Sequence, residues 1–260
     1  MNKITKKVII IFLLIICLIG FFFSLYKVII WTISIKSNNL IKDDISSLVS
    51  NEVIESDETL NTFYEGKIKY NINFDDLKSK NSDTVGYINI NNTNISYVVV
   101  KGDDNSYYLN HNFEKKWSVA GWIFADYHNR FDGTDKNIVI YGHKMRDGSM
   151  FAELKNTLNE DWYLNSDNHY IAFTTPLDTF YYKIYSIYTI EPELYYINTI
   201  FNNENEFSEF LKITKGRSIY DFGVSVDVDD QVLTLSSCMD AYNQRRVVVH
   251  AKKIKKYKDS

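Results

Sequence analysis

Residues 231–254 read QVLTLSSCMDAYNQRRVVVHAKKI. Two apolar, β-branched runs, VLTLSS and RVVVHA, flank a polar loop, and this pattern predicts two strands. Cys238 closes the first run and Arg246 opens the second. Upstream, the run NIVIYGH ends on His143 in the same way. A thiol, an imidazole and a guanidinium thus stand at strand ends, where a rigid sheet can aim side chains closely.

Working outward, the chain from Val85 onward breaks into short β-like runs: VGYINI, ISYVVV, GWIFADY, NIVIYGH, YIAFTT, FYYKIYSIYTI, QVLTLSS and RVVVHAKKI. Strands this short and this numerous predict a mostly β fold, a mixed β-barrel of about eight strands with peripheral helices. The 260 residues include only 2 prolines and 10 glycines, so the turns fall to Asn and Asp, which tolerate left-handed backbone. Two helical insertions are expected: GSMFAELKNTL after the fourth strand, and NENEFSEFLKITKG before the seventh, with Phe207, Phe210 and Leu211 on one face. FDDLKSKN (Phe74–Asn81) reads as a short helix, and Ile41, Ile45, Leu48 and Val49 follow the spacing of an amphipathic one.

Before all of this lies an almost wholly apolar run from Val8 to Trp31, which as a helix would extend roughly 36 Å, enough to cross a bilayer. Lys3, Lys6 and Lys7 precede it, so the positive-inside rule predicts a cytoplasmic N-terminus and an extracellular remainder. The run is longer than a signal-peptide core and no small-x-small cleavage site follows, which predicts an uncleaved single-pass anchor in the cell membrane. Residues 1–36 are expected to form the cytoplasmic stub and anchor, and residues 37–260 one extracellular domain with N-terminal helices in 38–80. Five lysines and no acid lie in residues 1–36, so against a whole-chain charge of −4 the outer part carries −9. An acidic domain argues against nucleic acid as a partner.

With Cys17 inside the apolar run, Cys238 has no partner for a disulfide within its chain. An unpaired exported thiol is a buried small hydrophobe, an intermolecular link or a reactive group. Taken singly, His143 reads as an ordinary histidine and Arg246 as a solvated charge; the joint pattern favours acyl transfer by a thiol. Arg245 and Arg246 face opposite sides of a strand, so only one can approach the thiol. His111, Asp126 and His128 lack the spacing of a closed metal site, and neither a metal nor another cofactor is expected. His250 reads as structural.

The pattern QVLTLSSC followed by RRVVVHAKKI resembles the sortase signature, Thr-Leu-x-Thr-Cys with an arginine on the next strand. NSDTVGYINI, NNTNISYVVV, DNSYYLNHNF, GWIFADY and YGHKMRDGSMFAEL, in this order, resemble class B sortases, as do the helix before the cysteine strand and the N-terminal anchor. The sequence departs from the pattern at Ser237, at Tyr97-Val98 in place of tyrosine-proline, and at Met239. The resemblance implies a transpeptidase with His143, Cys238 and Arg246 catalytic, Arg246 being chosen because one residue separates it from VVHA. It further implies Ser236 and Asn105 as substrate contacts, while Asp240 is a candidate to orient the loop or His143.

The implied reaction has two halves. Cys238 attacks the carbonyl after a threonine in the C-terminal sorting motif of an exported protein, and an amine of a peptidoglycan precursor then resolves the thioacyl enzyme. At unperturbed pKa values about 3% of the thiol is thiolate at pH 7 and about a quarter of the imidazole is charged. Two readings compete: a cysteine protease that hydrolyses the acyl-enzyme, and a tethered adhesin or sensor with a buried, inert Cys238. Papain-like proteases place cysteine before histidine, the reverse of the order here.

Overall fold

The computed structural model describes residues 2–53, 68–238 and 245–254, with 51–53, 68–70 and 238 described through their backbone. The first helix, α1 (Lys3–Ser46), crosses residue 36 without a break. Its apolar stretch has a mean hydropathy of 3.3, and none of its residues is buried. Past that stretch, Ser34, Asn38, Ile41 and Ile45 form one buried face against the domain.

Ile41 and Ile45 therefore lie on the expected helical face, but Leu48 and Val49 do not continue it. The helix ends at Ser46, and Val49 opens β1 (Val49–Val53), which pairs antiparallel with β2 (Ile68–Ile72). Residues 38–80 thus carry a two-stranded sheet between their helices, which the sequence reading missed. Ile68, Tyr70 and Ile72 alternate with polar residues, the two-residue period that marks a strand. Helix α2 (Phe74–Lys80) forms where expected, with the Asn73 carboxamide accepting the Asp76 N–H at 3.1 Å as N-cap.

All eight expected strands form. They are β3 (Thr84–Ile90), β4 (Ser96–Val100), β5 (Phe124–Ala125), β6 (Asn137–His143), β7 (Tyr170–Thr174), β8 (Thr179–Ile190), β9 (Val232–Cys238) and β10 (Arg246–Lys253). They close in the order β10-β8-β7-β3-β4-β5-β6-β9. Two neighbouring pairs, β4–β5 and β6–β9, are parallel and the others antiparallel. GWIFADY contributes only the two residues of β5. The first insertion is a 3-10 helix over residues 152–158 followed by α3 (Glu160–Leu164), a tighter winding than the sequence suggests. The second is α4 (Glu204–Gly216), capped by Asn203 and burying Phe207, Phe210, Leu211 and Thr214.

The continuous apolar runs of β9 and β10 have a simple cause: both faces of these strands are covered. Leu233, Leu235, Val247 and Val249 enter the main core. On the other face, Val232 packs with Tyr185, Phe207, Phe210 and Leu211, and Val248 with Tyr188 and Tyr196. This second layer lies under α4 and a 3-10 turn at residues 195–197, and it leads toward the strand ends that carry His143 and Arg246.

Candidate active site at the ends of three strands

The parallel register of β6 and β9 pairs Asn137 with Val232 and, at its far end, His143 with Cys238. The antiparallel register of β9 and β10 pairs Val248 with Ser236, and two more residues of the same register bring Arg246 level with Cys238. Adjacent strands lie about 4.8 Å apart, and directly paired residues project to the same face of a sheet. The backbone therefore sets residues 143, 238 and 246 side by side across three neighbouring strands. Cys238 is the middle one. Asp240 and Met239 lie outside the described residues.

His143 is half-buried, and its Nε2 lies 2.7 Å from the carbonyl oxygen of Leu109. A carbonyl can only accept, so Nε2 carries the proton and Nδ1 is the ring nitrogen left for proton traffic. Burial holds the imidazole pKa below its usual 6.5, partly offset by the Leu109 carbonyl, which favours the charged form. The imidazolium fraction at pH 7 is accordingly below the quarter expected for an unperturbed histidine.

Gly142, just before it, is required by close packing. A Cβ there would sit 2.4 Å from Ile123 Cδ1 and 2.7 Å from Cγ of the Phe151 ring. Gly142→Ala is expected to cost about 1–3 kcal/mol through overpacking, read as a fall in Tm. Reporter turnover should fall as well, because the strand end would shift at His143.

Of the two arginines, Arg246 is half-buried and donates from Nη1 to the Tyr196 hydroxyl at 2.8 Å. Arg245 is exposed, with Nε 3.8 Å from Glu191. The Tyr196 hydroxyl, having accepted from Arg246, also shares a hydrogen bond with Ser236 Oγ at 3.0 Å. Ser236 thus lies buried two residues before Cys238 on the same face of β9. Ser237 faces the other way, where its Oγ accepts the Val247 N–H at 2.9 Å and helps fix the β9–β10 register. The sequence reading missed Tyr196. Its signal is the aromatic pair in ELYYIN, which gives no hint that one hydroxyl reaches a strand 40 positions further along the chain.

Asn105 belongs to a neighbouring network. Its Nδ2 donates to Asp126 at 2.7 Å and its Oδ1 accepts the Tyr127 N–H at 3.1 Å. The same Asp126 oxygen accepts from the Tyr141 hydroxyl at 2.8 Å, two residues before His143 on β6. Asn105 is therefore joined to the histidine strand, and its carboxamide keeps a second N–H and a second lone pair. The other Asp126 oxygen lies 2.8 Å from His128 Nδ1, while His111 stacks on Tyr107 and bonds its carbonyl. Among the described residues no group of three or more His, Cys, Asp or Glu could hold a metal ion. His250 is fully buried between Thr234 and Tyr188, each at 2.8 Å.

A family model described as a Sortase domain matches residues 88–254. The chain is 32% identical over 238 residues to Sortase B of Listeria monocytogenes, covering 91% of this chain and 93% of that one. It is 35% identical over 184 residues to Sortase B of Staphylococcus aureus, covering 70% and 75%. Among solved structures, sortase B from B. anthracis aligns with a TM-score of 0.73 at 29% identity, covering 86% of this chain and 100% of that one. A Staphylococcus aureus sortase B–substrate complex aligns with a TM-score of 0.65 at 35% identity, covering 70% and 84%. A sortase B complexed with triglycine gives 0.66 at 35% identity, covering 70% and 85%. A family match over most of the barrel, with relatives and solved structures that agree on one subclass, places the function beside the fold: this chain belongs to the sortase family of transpeptidases, in class B.

Proposed function

We propose that Cys238 is the nucleophile, His143 the proton carrier and Arg246 the oxyanion partner of a transpeptidation at the outer face of the cell membrane. The observation that carries this reading is the register that pairs His143 with Cys238 and extends to Arg246. The thiol proton passes to Nδ1 of His143, and the thiolate attacks the carbonyl carbon after threonine in the sorting motif of an exported protein. The tetrahedral oxyanion meets the N–H donors of Arg246, which stays charged at any physiological pH. Nδ1–H then protonates the departing amide nitrogen, leaving a thioacyl enzyme. An amine attacks the thioester, gives its proton back to Nδ1, and the released thiolate is reprotonated.

A peptide substrate and an amine acceptor suit the solved complexes of class B relatives with substrate and with triglycine. For this chain the acceptor is an amine of a peptidoglycan precursor and the product a surface protein fixed to the cell wall. Helix α1 is the anchor, with residues 1–36 as stub and span and the barrel outside the cell. Asn105 lines the substrate path through the donor and acceptor that Asp126 and Tyr127 leave available, and the buried Ser236 serves that path from beneath, by holding the Tyr196 hydroxyl.

The test is a fluorogenic library of sorting peptides incubated with the protein, with and without triglycine. The expected result is cleavage after threonine and a threonine–triglycine amide by mass spectrometry. Free acid in the presence of amine would point to a protease. No cleavage together with a thiol inert to alkylation would point to a binding domain. Because burial lowers the His143 pKa, the acid limb of kcat/KM is expected to have its midpoint below pH 6.5. Turnover is lost as pH falls through that point, because the histidine can no longer accept the thiol proton. Tyr196→Phe removes the hydroxyl that joins Arg246 to Ser236, so kcat/KM should drop about tenfold or more. Near-unchanged kinetics in that variant would remove Tyr196 from the mechanism.

A further inference from the structure

We propose that Asn38, on the N-terminal helix, is a positioning residue for His143, acting through residues 118–121 and the carbonyl of Leu109. The inference rests on the reading of His143 as the proton carrier. Asn38 is 3% exposed, and both ends of its carboxamide engage the barrel domain. Nδ2 donates to the Gly121 carbonyl at 3.0 Å, and Oδ1 accepts from the Ser118 hydroxyl at 3.2 Å. If the helix needed only to bury a face there, leucine or alanine would serve with better helix propensity and no polar group to desolvate.

From this carboxamide the contacts converge on three consecutive carbonyls. The Trp122 N–H donates to the Tyr108 oxygen at 3.0 Å, and the Ser118 N–H to the Asn110 oxygen at 2.9 Å. Between them, the Leu109 oxygen accepts from His143 Nε2 at 2.7 Å. Gly121, at φ +54°, lies flat against the same turn: a Cβ there would be 2.3 Å from the Tyr108 oxygen and 2.7 Å from that of Leu109. The carbonyl that decides which imidazole nitrogen carries the proton is thus clamped on both sides by the segment that Asn38 holds.

One turn further along α1, Lys42 reaches the His143 strand end indirectly, through Tyr97. Its ammonium sits 4.2 Å from the centre of the Tyr97 ring, whose hydroxyl accepts the Met150 N–H at 2.9 Å. The next residue, Phe151, donates its N–H to the His143 carbonyl at 2.9 Å. Helix α1, which carries the apolar run, therefore braces both the backbone and the ring of the histidine. A group held by such a chain loses rate steeply when displaced, on the order of a hundredfold for 1 Å.

The experiment uses the full chain in detergent micelles, with nitrogen-15 NMR of the imidazoles, the His143 signals being assigned with His143→Gln. The wild type should show a single Nε2–H tautomer at His143. Asn38→Ala should show averaging of the two tautomers, and kcat per alkylation-titrated thiol about tenfold lower with KM within about twofold of wild type. Ser118→Ala, which removes one of the two hydrogen bonds, should move both readouts in the same direction by less, and it serves if Asn38→Ala does not fold. An unchanged His143 spectrum and unchanged kcat per titrated thiol, whatever happens to Tm, would overturn the proposal. A tautomer that responds to Asn38→Ala while His143→Gln keeps full turnover would uphold the positioning and overturn the role of His143 instead.

Discussion

Replacing Cys238 with alanine is expected to reduce cleavage of a sorting-peptide reporter by on the order of 10⁴-fold or more, to the background without enzyme. The reason is chemical. His143 and Arg246, its neighbours in register, are proposed to move a proton and hold an oxyanion, and neither supplies the sulfur of the thioester that divides the reaction in two. Cys238→Ser should be almost as poor, because a hydroxyl ionises far less readily than a thiol beside an imidazole kept largely neutral by burial. The backbone pairing of β9 with β6 and β10 does not depend on the sulfur, so circular dichroism and Tm should stay close to wild type. Reporter cleavage surviving in Cys238→Ala would sink the thioacyl mechanism at once.

The second large effect is acid lability centred on His250. Thr234 Oγ donates to Asn137 Oδ1 at 2.7 Å, so it must accept from His250 Nδ1–H, and the Tyr188 hydroxyl donates to Nε2. Every position around this neutral imidazole is filled. Burial, helped by the Arg217 charge, lowers its pKa from 6.5 to about 3. The unfolded chain therefore binds a proton that the folded one refuses, and stability rises with pH across this window. As pH falls from 6.5 toward 3, this one group removes about 1.4 kcal/mol per pH unit. Thermal unfolding followed by near-ultraviolet circular dichroism at pH 7.5 and 4.5 measures the loss. His250→Gln should be less stable than wild type at pH 7.5, since two buried partners lose their geometry, yet its Tm should depend less on pH. Equal pH dependence in the two proteins would refute the assignment.

The strands were legible because their chemistry repeats. Apolar runs bounded by Asn and Asp predict all eight, and even the faces of α4 follow from Phe207, Phe210 and Leu211. Strand ends also pointed to residues 143, 238 and 246. Other features depend on through-space partners that leave no local mark. The carbonyl of Leu109 and the hydroxyl of Tyr196 acquire their roles only when distant segments meet. Asn38 is the clearest case: on a helix it reads as an ordinary polar residue, and only the fold shows that both ends of its amide are taken.

The parallel contact between β6 and β9 has a kinetic consequence. Parallel neighbours need a crossover, and here it carries β7, β8 and α4 before the chain returns to lie beside β6. Closing so long a loop is entropically slow, so this pairing belongs to the late stages of folding. A chain emerging N-terminus first would expose its histidine strand well before the sulfur and the guanidinium exist beside it. On the roles proposed for these three residues, a partly made molecule is inert, and turnover begins only when β10 has closed the barrel.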